Sequence, residues 1–176
     1  VTQASQPDFL PDGTRLVVHS WKPDEKGIFL LSLSGQRIWQ ITGQIEAARA
    51  SVDFKGESYV YHSRQESDRR PRLYRTYGTE NRSIMRQGSA VLGQSPSWLP
   101  DQRILYNGCW MDNCGIIVTR DDGTFPRQVV AGSTETNPEA SPDGRQVVFM
   151  SQRDGNWEVY GIFSDGSDVW RITEMD

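Results

Sequence analysis

Apolar and polar positions in this 176-residue chain alternate in short runs, and the clearest set lies near the C-terminal end. Gln146 to Ser151 (QVVFMS) is a β-branched and aromatic run, the composition that fits a pleated, half-buried surface. Trp157 to Phe163 (WEVYGIF) is a second such run, and Val169 to Thr173 (VWRIT) is a third. Between them stand turn signals. In Ser141-Pro142-Asp143-Gly144 the proline presets φ and Gly144 relieves the last turn position. Arg153-Asp154-Gly155-Asn156 is a hairpin turn of the Asp-Gly type, and Ser164-Asp165-Gly166-Ser167 turns the chain again. With the segment before Ser141, the pattern predicts four short antiparallel strands in about forty residues. No stretch of useful length has the 3.6-residue period of a helix.

The same unit occurs three more times. Leu10-Pro11-Asp12-Gly13 precedes the run Arg15 to Ser20, and that unit ends in Arg37 to Thr42. Asp53-Phe54-Lys55-Gly56 precedes Tyr59 to Ser63, with Asn81 to Met85 at its end. Leu99-Pro100-Asp101-Gln102 precedes Arg103 to Asn107, with Arg127 to Val130 at its end. The anchors Asp12, Lys55, Asp101 and Asp143 are 43, 46 and 42 residues apart. One Pro-Asp-Gly is an ordinary turn; four repeats in register at this period, each a turn followed by strands, predict a repeat architecture with blade-sized units. The expected fold class is all-β: a β-propeller built from four repeats of a four-stranded antiparallel blade. The blades fall at approximately residues 7–42, 48–85, 95–130 and 137–173 of one domain spanning residues 1–176.

The run SPDGRQVVF from Ser141, then RDGNWEVY from Arg153, then Ser164-Asp165-Gly166 and Arg171-Ile172-Thr173, resembles the repeat of the TolB-like propellers. It is also similar to the repeat in the N-terminal propellers of prolyl-oligopeptidase-type enzymes. The resemblance covers essentially the whole chain. It is sharpest in the fourth repeat and most degraded in the second, where Phe54-Lys55 replaces Pro-Asp. It implies a fold far more strongly than an activity. It also implies a geometry: inner strands line a central channel, and the loops joining second and third strands share one face.

Charge and length refine this picture. The formal net charge of −4 gives no basic footprint for nucleic acid, which is therefore not an expected partner. No apolar run approaches the roughly 20 residues of a membrane-spanning helix, so no membrane span is expected. The chain starts at Val1 without a signal peptide, as a processed chain or a fragment would. The second repeat concentrates Arg64, Arg69, Arg70, Arg72, Arg75, Arg82 and Arg86. That is either a solvated charged loop with two strand faces or a contact for an acidic surface.

The two cysteines, Cys109 and Cys114, bracket the turn between the second and third strands of the third repeat. Residues flanking a hairpin turn are cross-strand neighbours, nearly within disulfide range, so the expected state is a Cys109–Cys114 disulfide. That state implies an oxidising, extracytoplasmic (periplasmic or secreted) location. A zinc site is disfavoured, because no second Cys or His pair lies nearby.

Candidate chemistry is sparse. There is no Gly-x-Ser-x-Gly elbow, no Gly-rich phosphate loop and no His-Glu-x-x-His. The two histidines, His19 and His62, occupy one repeat position, matched by Asn107 and Met150. Their alternatives are a rim metal or ligand role, or a hydrogen bond to their own loops. Asp12, Asp101 and Asp143 read as turn residues that bond their own backbone. Trp39, Trp98 and Trp170 lie on strands, where packing between blades is expected. Trp21, Trp110 and Trp157 lie in or beside the second-to-third-strand loops, where the second repeat offers Arg64, Arg69 and Arg70. Tryptophan and arginine are the residues enriched at binding hot spots.

The expected protein is thus a non-catalytic TolB-like propeller that binds a protein or peptide partner through this loop face, with no cofactor and no metal. Its rivals are the propeller portion of a prolyl-oligopeptidase-type hydrolase, and a carbohydrate-binding or lyase propeller. Four blades are the low limit for a ring. The expected states are tight closure of one chain, or a homodimer joined head to tail into an eight-bladed ring.

Overall fold

The computed structural model describes residues 4–44 and 46–174. It contains four antiparallel four-stranded sheets, each with its strands in chain order. Blade 1 is β1 (Ala4–Phe9), β2 (Arg15–Ser20), β3 (Gly27–Ser32) and β4 (Arg37–Thr42). Blade 2 is β5 (Ala48–Val52), β6 (Tyr59–Arg64), β7 (Pro71–Tyr77) and β8 (Glu80–Ser83). A small ribbon, β9 (Met85–Arg86) with β10 (Ser89–Ala90), occupies what the sequence reads as a plain link. Blade 3 is β11 (Gly93–Trp98), β12 (Arg103–Trp110), β13 (Asn113–Arg120) and β14 (Arg127–Ala131). Blade 4 is β15 (Thr136–Ala140), β16 (Gln146–Ser151), β17 (Glu158–Phe163) and β18 (Trp170–Arg171). This is the β-propeller arrangement of four blades that the repeat predicts.

The turn chemistry is local and repeated. Asp12 accepts from the Thr14 amide at 2.8 Å, and Asp143 accepts from the Arg145 amide at 3.0 Å. In blade 2 the turn aspartate is Lys55, and the role moves back two residues. Asp53 accepts from the amides of Glu57 and Ser58 at 2.8 and 3.2 Å. The last turn position has φ near +70° in Gly13, Gly56 and Gly144, and Gln102 adopts it in blade 3 at φ 67°.

Period-2 alternation gives each blade two apolar faces, and adjacent blades bury them against each other. Val17, Ile28 and Leu30 of blade 1 meet Tyr59, Tyr61 and Tyr74 of blade 2. Val60 and Leu73 of blade 2 meet Trp98, Ile104, Tyr106 and Ile117 of blade 3. Leu105, Ile116 and Val118 of blade 3 meet Val147, Phe149, Tyr160 and Ile162 of blade 4. Each such side chain, removed from water, contributes about 1.5–3 kcal/mol. Among the described residues no apolar cluster joins blade 4 to blade 1.

Trp98 is buried in the second seam, as expected of a packing residue. Trp39 is not such a residue: it is 38% exposed on the outer strand β4. Trp170 packs within its own blade, 5.5 Å from the Phe163 ring and over Gly161, where a Cβ would collide with the indole.

Candidate functional site

The four inner strands share an irregularity that the strand pattern does not show. Pairing of each with its second strand shifts register between Ser5 and Asp8, Ala48 and Ser51, Gln94 and Ser97, and Thr136 and Glu139. At each shift one non-glycine residue has positive φ: Gln6 at 54°, Arg49 at 53°, Ser95 at 47° and Asn137 at 52°. Three of the four are followed by proline, which has no amide to give to the ladder. These are four repeat-equivalent β-bulges, a device that re-aims side chains and terminates local pairing.

The bulges dock one blade on the next. The Arg49 amide donates to Gln6 Oε1 at 2.9 Å, and the Val52 amide donates to Asp8 Oδ2 at 3.1 Å. At the next seam the Trp98 amide donates to Ser51 Oγ at 3.4 Å, the same bond one repeat on. The Ser95 amide donates to His62 Nδ1 at 3.3 Å, and Ser95 Oγ donates to Asn137 Oδ1 at 2.9 Å. The expectation that the histidines bond their own loops is therefore corrected for His62, which reaches across a seam. His19 Nδ1 is buried with no hydrogen-bond partner among the described residues, and its ring lies 5.9 Å from Trp21.

Together the bulges line an open axial cavity of about 420 Å³ to which all four blades contribute, from Gln6, Pro7 and Asp8 to Asn137, Pro138 and Glu139. Its wall carries both signs of charge. Burial raises the Asp8 carboxyl despite bonds from Val52 and Ser51. Glu139 is reached by solvent from the cavity, yet protein surrounds it at the axis. That burial pushes it up to about 7, Ser97 offsets part of the shift, and the charge of Asp8 adds to it. Arg49 is drawn down by desolvation, and its guanidinium forms no ion pair among the described residues. Burial holds His62 down at about 4, helped by the positive charges of Arg49, Arg64 and His19. A neutral imidazole is what the bond from the Ser95 amide requires. Among the described residues no group of three or more His, Cys, Asp or Glu side chains is placed to hold a metal ion.

The cavity lies toward the face of the second-to-third-strand loops. The bulges follow Ser5, Ala48, Gln94 and Thr136, which pair with residues at or near the end of the second strand, such as His19, His62 and Asn107. Those second strands lead directly into the loops that hold the expected site residues. Trp21 is 49% exposed and Trp157 is 41% exposed, while Trp110 is half-buried. Arg64, Arg69 and Arg70 are all exposed. Arg64 and Arg69 also line a second cavity of about 340 Å³ with Gln44, Glu46, Glu66 and Tyr74.

Most of the arginine cluster is already paired. Arg69 meets Glu46 at 3.0 Å, Arg72 meets Asp68 at 2.5 Å, and Arg82 meets Glu80 at 2.5 Å. Arg75 crosses to Asp121 of blade 3 and lies 5.2 Å from the Trp98 ring centroid. Arg64 and Arg70 alone of the three site arginines have no ion pair among the described residues. Cys109 and Cys114 are directly opposed in the β12–β13 pairing and form a disulfide with Cα atoms 4.0 Å apart. It clamps a tip that presents Trp110 and the 79%-exposed Met111.

The axial bulges escaped the loop-centred reading. Their trace in the sequence is a polar residue and then Pro or Ala, six residues ahead of the turn: Gln6-Pro7, Arg49-Ala50, Ser95-Pro96 and Asn137-Pro138.

The fold is that of the TolB-like β-propellers. A solved structure of TolB from Acinetobacter baumannii superposes with a TM-score of 0.79 at 17% identity, covering 97% of this chain and 43% of that one. A TolB candidate from Agrobacterium tumefaciens superposes with a TM-score of 0.74 at 22% identity, covering 98% of this chain and 62% of that one. No protein-family model matches the chain. A curated relative, an uncharacterized protein of Agrobacterium fabrum, is 37% identical over 54 residues, which is 31% of this chain and 18% of that protein. The chain thus spans less than two thirds of each of these three proteins.

Proposed function

We propose that the protein is a non-catalytic TolB-like scaffold that holds a protein or peptide partner on the rim of its second-to-third-strand loops, over the mouth of the axial cavity. The observation that carries this reading is that exposed Trp21, Trp157 and Arg70 lie in or beside the loops of the face toward which the cavity lies. Loops held by rigid strands suit recognition, because loops so held lose little freedom on binding. Half-exposed tryptophans supply apolar area, and Arg64 and Arg70 supply charge that no ion pair among the described residues neutralises. The disulfide supports an oxidising, extracytoplasmic workplace.

Panning a random-peptide display library against the chain tests this. Enriched peptides should lose about 30-fold in affinity in Trp21→Ala or Arg70→Ala, the loss typical of a hot-spot truncation. Melting temperature should stay nearly unchanged. Equal binding by both variants sinks the rim assignment. Oligosaccharide binding on a glycan array, without peptide binding, replaces the reading with a carbohydrate-binding one.

A further inference from the structure

Blades 2 and 4 fill one repeat-equivalent place in different ways. In blade 4 the second strand ends at Ser151, and two residues back Phe149 pairs with Tyr160 of the third strand. Arg153, two residues past Ser151, lies over both rings, 5.3 and 4.9 Å from their centroids. Its Nη2 donates to Glu135 Oε1 at 3.0 Å, and Ser151 Oγ donates to the same oxygen at 3.0 Å. Glu135 stands just before the inner strand, and its side chain is 2% exposed. Blade 4 thus closes the rim end of its seam with its own guanidinium, set over two aromatic rings and against a carboxylate.

Blade 2 repeats every part of this arrangement except the cation. Ser63 is the equivalent of Ser151, and Tyr61 and Tyr74 are the equivalents of Phe149 and Tyr160, their rings stacked at 5.4 Å. Gln65 replaces Arg153 and Ala47 replaces Glu135, while Glu46 supplies a carboxylate from one position earlier. The neutral Gln65 reaches the Tyr74 hydroxyl with its Nε2 at 3.5 Å. Where blade 4 places Arg153, blade 2 has the cavity of about 340 Å³, with Ser63, Tyr74, Gln65 and Glu46 in its wall. Blade 3 offers no such cradle, because Gly108 and Ile117 take the places of the serine and the second ring.

We propose that this cavity receives a guanidinium group, as an arginine side chain of a peptide presents it. A cation at the inner wall, formed by buried Ser63 and Tyr74, meets the Tyr74 ring and the Glu46 carboxylate, as Arg153 meets Tyr160 and Glu135. Gln44, in the same wall, has a side-chain oxygen with no donor among the described residues, a further acceptor for a group that carries only donors. At the mouth, exposed Arg64 and Arg69 are balanced by Glu46 and Glu66, so net charge does not bar a cation. The volume is at the small end of ligand pockets and suits one side chain. The inference rests on the rim reading above and deepens it by naming one side chain of the bound peptide.

Titrating the isotope-labelled 176-residue chain with N-acetyl-L-arginine methylamide, and following backbone amide shifts by NMR, tests this. Saturation is expected at about millimolar probe, the range open to one small side chain. The largest shifts should fall at Ser63, Gln65 and Tyr74. The citrulline analogue, alike in shape but uncharged, should bind at least about tenfold more weakly, and Glu46→Gln should weaken the arginine probe about as much. Gln65→Arg gives blade 2 the cation that blade 4 already has and should abolish the shifts. Amide dispersion confirms that each variant folds. No saturation by about 100 mM probe overturns the proposal. So do equal binding of citrulline, shifts centred elsewhere, or undiminished binding by Gln65→Arg. Neither Trp21 nor Arg70 lines this cavity, so failure of the rim reading in those variants is seen separately from failure here.

Discussion

The axis and the rim of this propeller obey opposite rules. At the axis all four blades contribute the same piece of backbone, a bulge with one residue near φ 50°. At the rim each blade contributes something different: Trp21, an arginine loop, a disulfide-clamped Trp110 tip, and Trp157. Near the axis, amides of one inner strand find acceptors on the preceding blade, and the same bond recurs at two seams, from Val52 to Asp8 and from Trp98 to Ser51. At the rim water satisfies the backbone, and the residues are free to differ. Uniformity therefore marks what holds the propeller together, and diversity marks the loops proposed to meet a partner.

The largest test of that contrast is packing. Trp98→Ala empties the second seam and should cost about 4 kcal/mol in urea unfolding, while Trp21→Ala at the rim should stay within about 0.5 kcal/mol. Similar costs for the two tryptophans would erase the distinction.

Next comes pH. His62 is about 4 in the folded protein and near its ordinary 6.5 when unfolded. Between these values the unfolded chain holds the extra proton. Stability is thus fully present above about 6.5 and declines toward pH 4, by up to about 3 kcal/mol. Glu139 acts with the opposite sign: the folded chain holds its proton up to about 7, so that stability contribution is present below about 4.5 and lost as pH rises through 7. Melting curves from pH 4 to 8 should show a flatter acid limb in His62→Gln and a flatter limb between 4.5 and 7 in Glu139→Gln. Unchanged limbs in both would mean that the axis is more hydrated than its geometry indicates.

A smaller effect is expected at the clamped tip. Replacing both Cys109 and Cys114 by Ser should cost about 2 kcal/mol, the chain-entropy value for so short a loop. Hydrogen exchange at Trp98 and Ile104 should stay slow, because the seams do not depend on the clamp. Faster exchange there would tie rim and axis into one unit.

The smallest effect is at the rim itself. Arg69→Ala removes an exposed ion pair with Glu46 and should change stability by less than about 1 kcal/mol. Double-mutant analysis with Glu46→Ala measures the coupling, and a value of several kcal/mol would give the rim a structural role.

The sequence by itself determined the blades. Apolar alternation, the Pro-Asp-Gly turns and their 42–46-residue period are local, and local signals survive in a linear reading. It also determined the Cys109–Cys114 pairing, since the two cysteines flank one short turn. The tertiary structure alone decided what happens between blades. Asp53 takes over a turn that Lys55 cannot make, and His62 bonds Ser95, thirty-three residues away. Trp39 remains exposed while Trp98 is buried, although both lie on strands, because burial depends on which blade arrives opposite. The cavity could not be read in advance for the same reason. Gln6, Arg49, Ser95 and Asn137 are unremarkable in their own segments and become a site only when four inner strands converge on one axis.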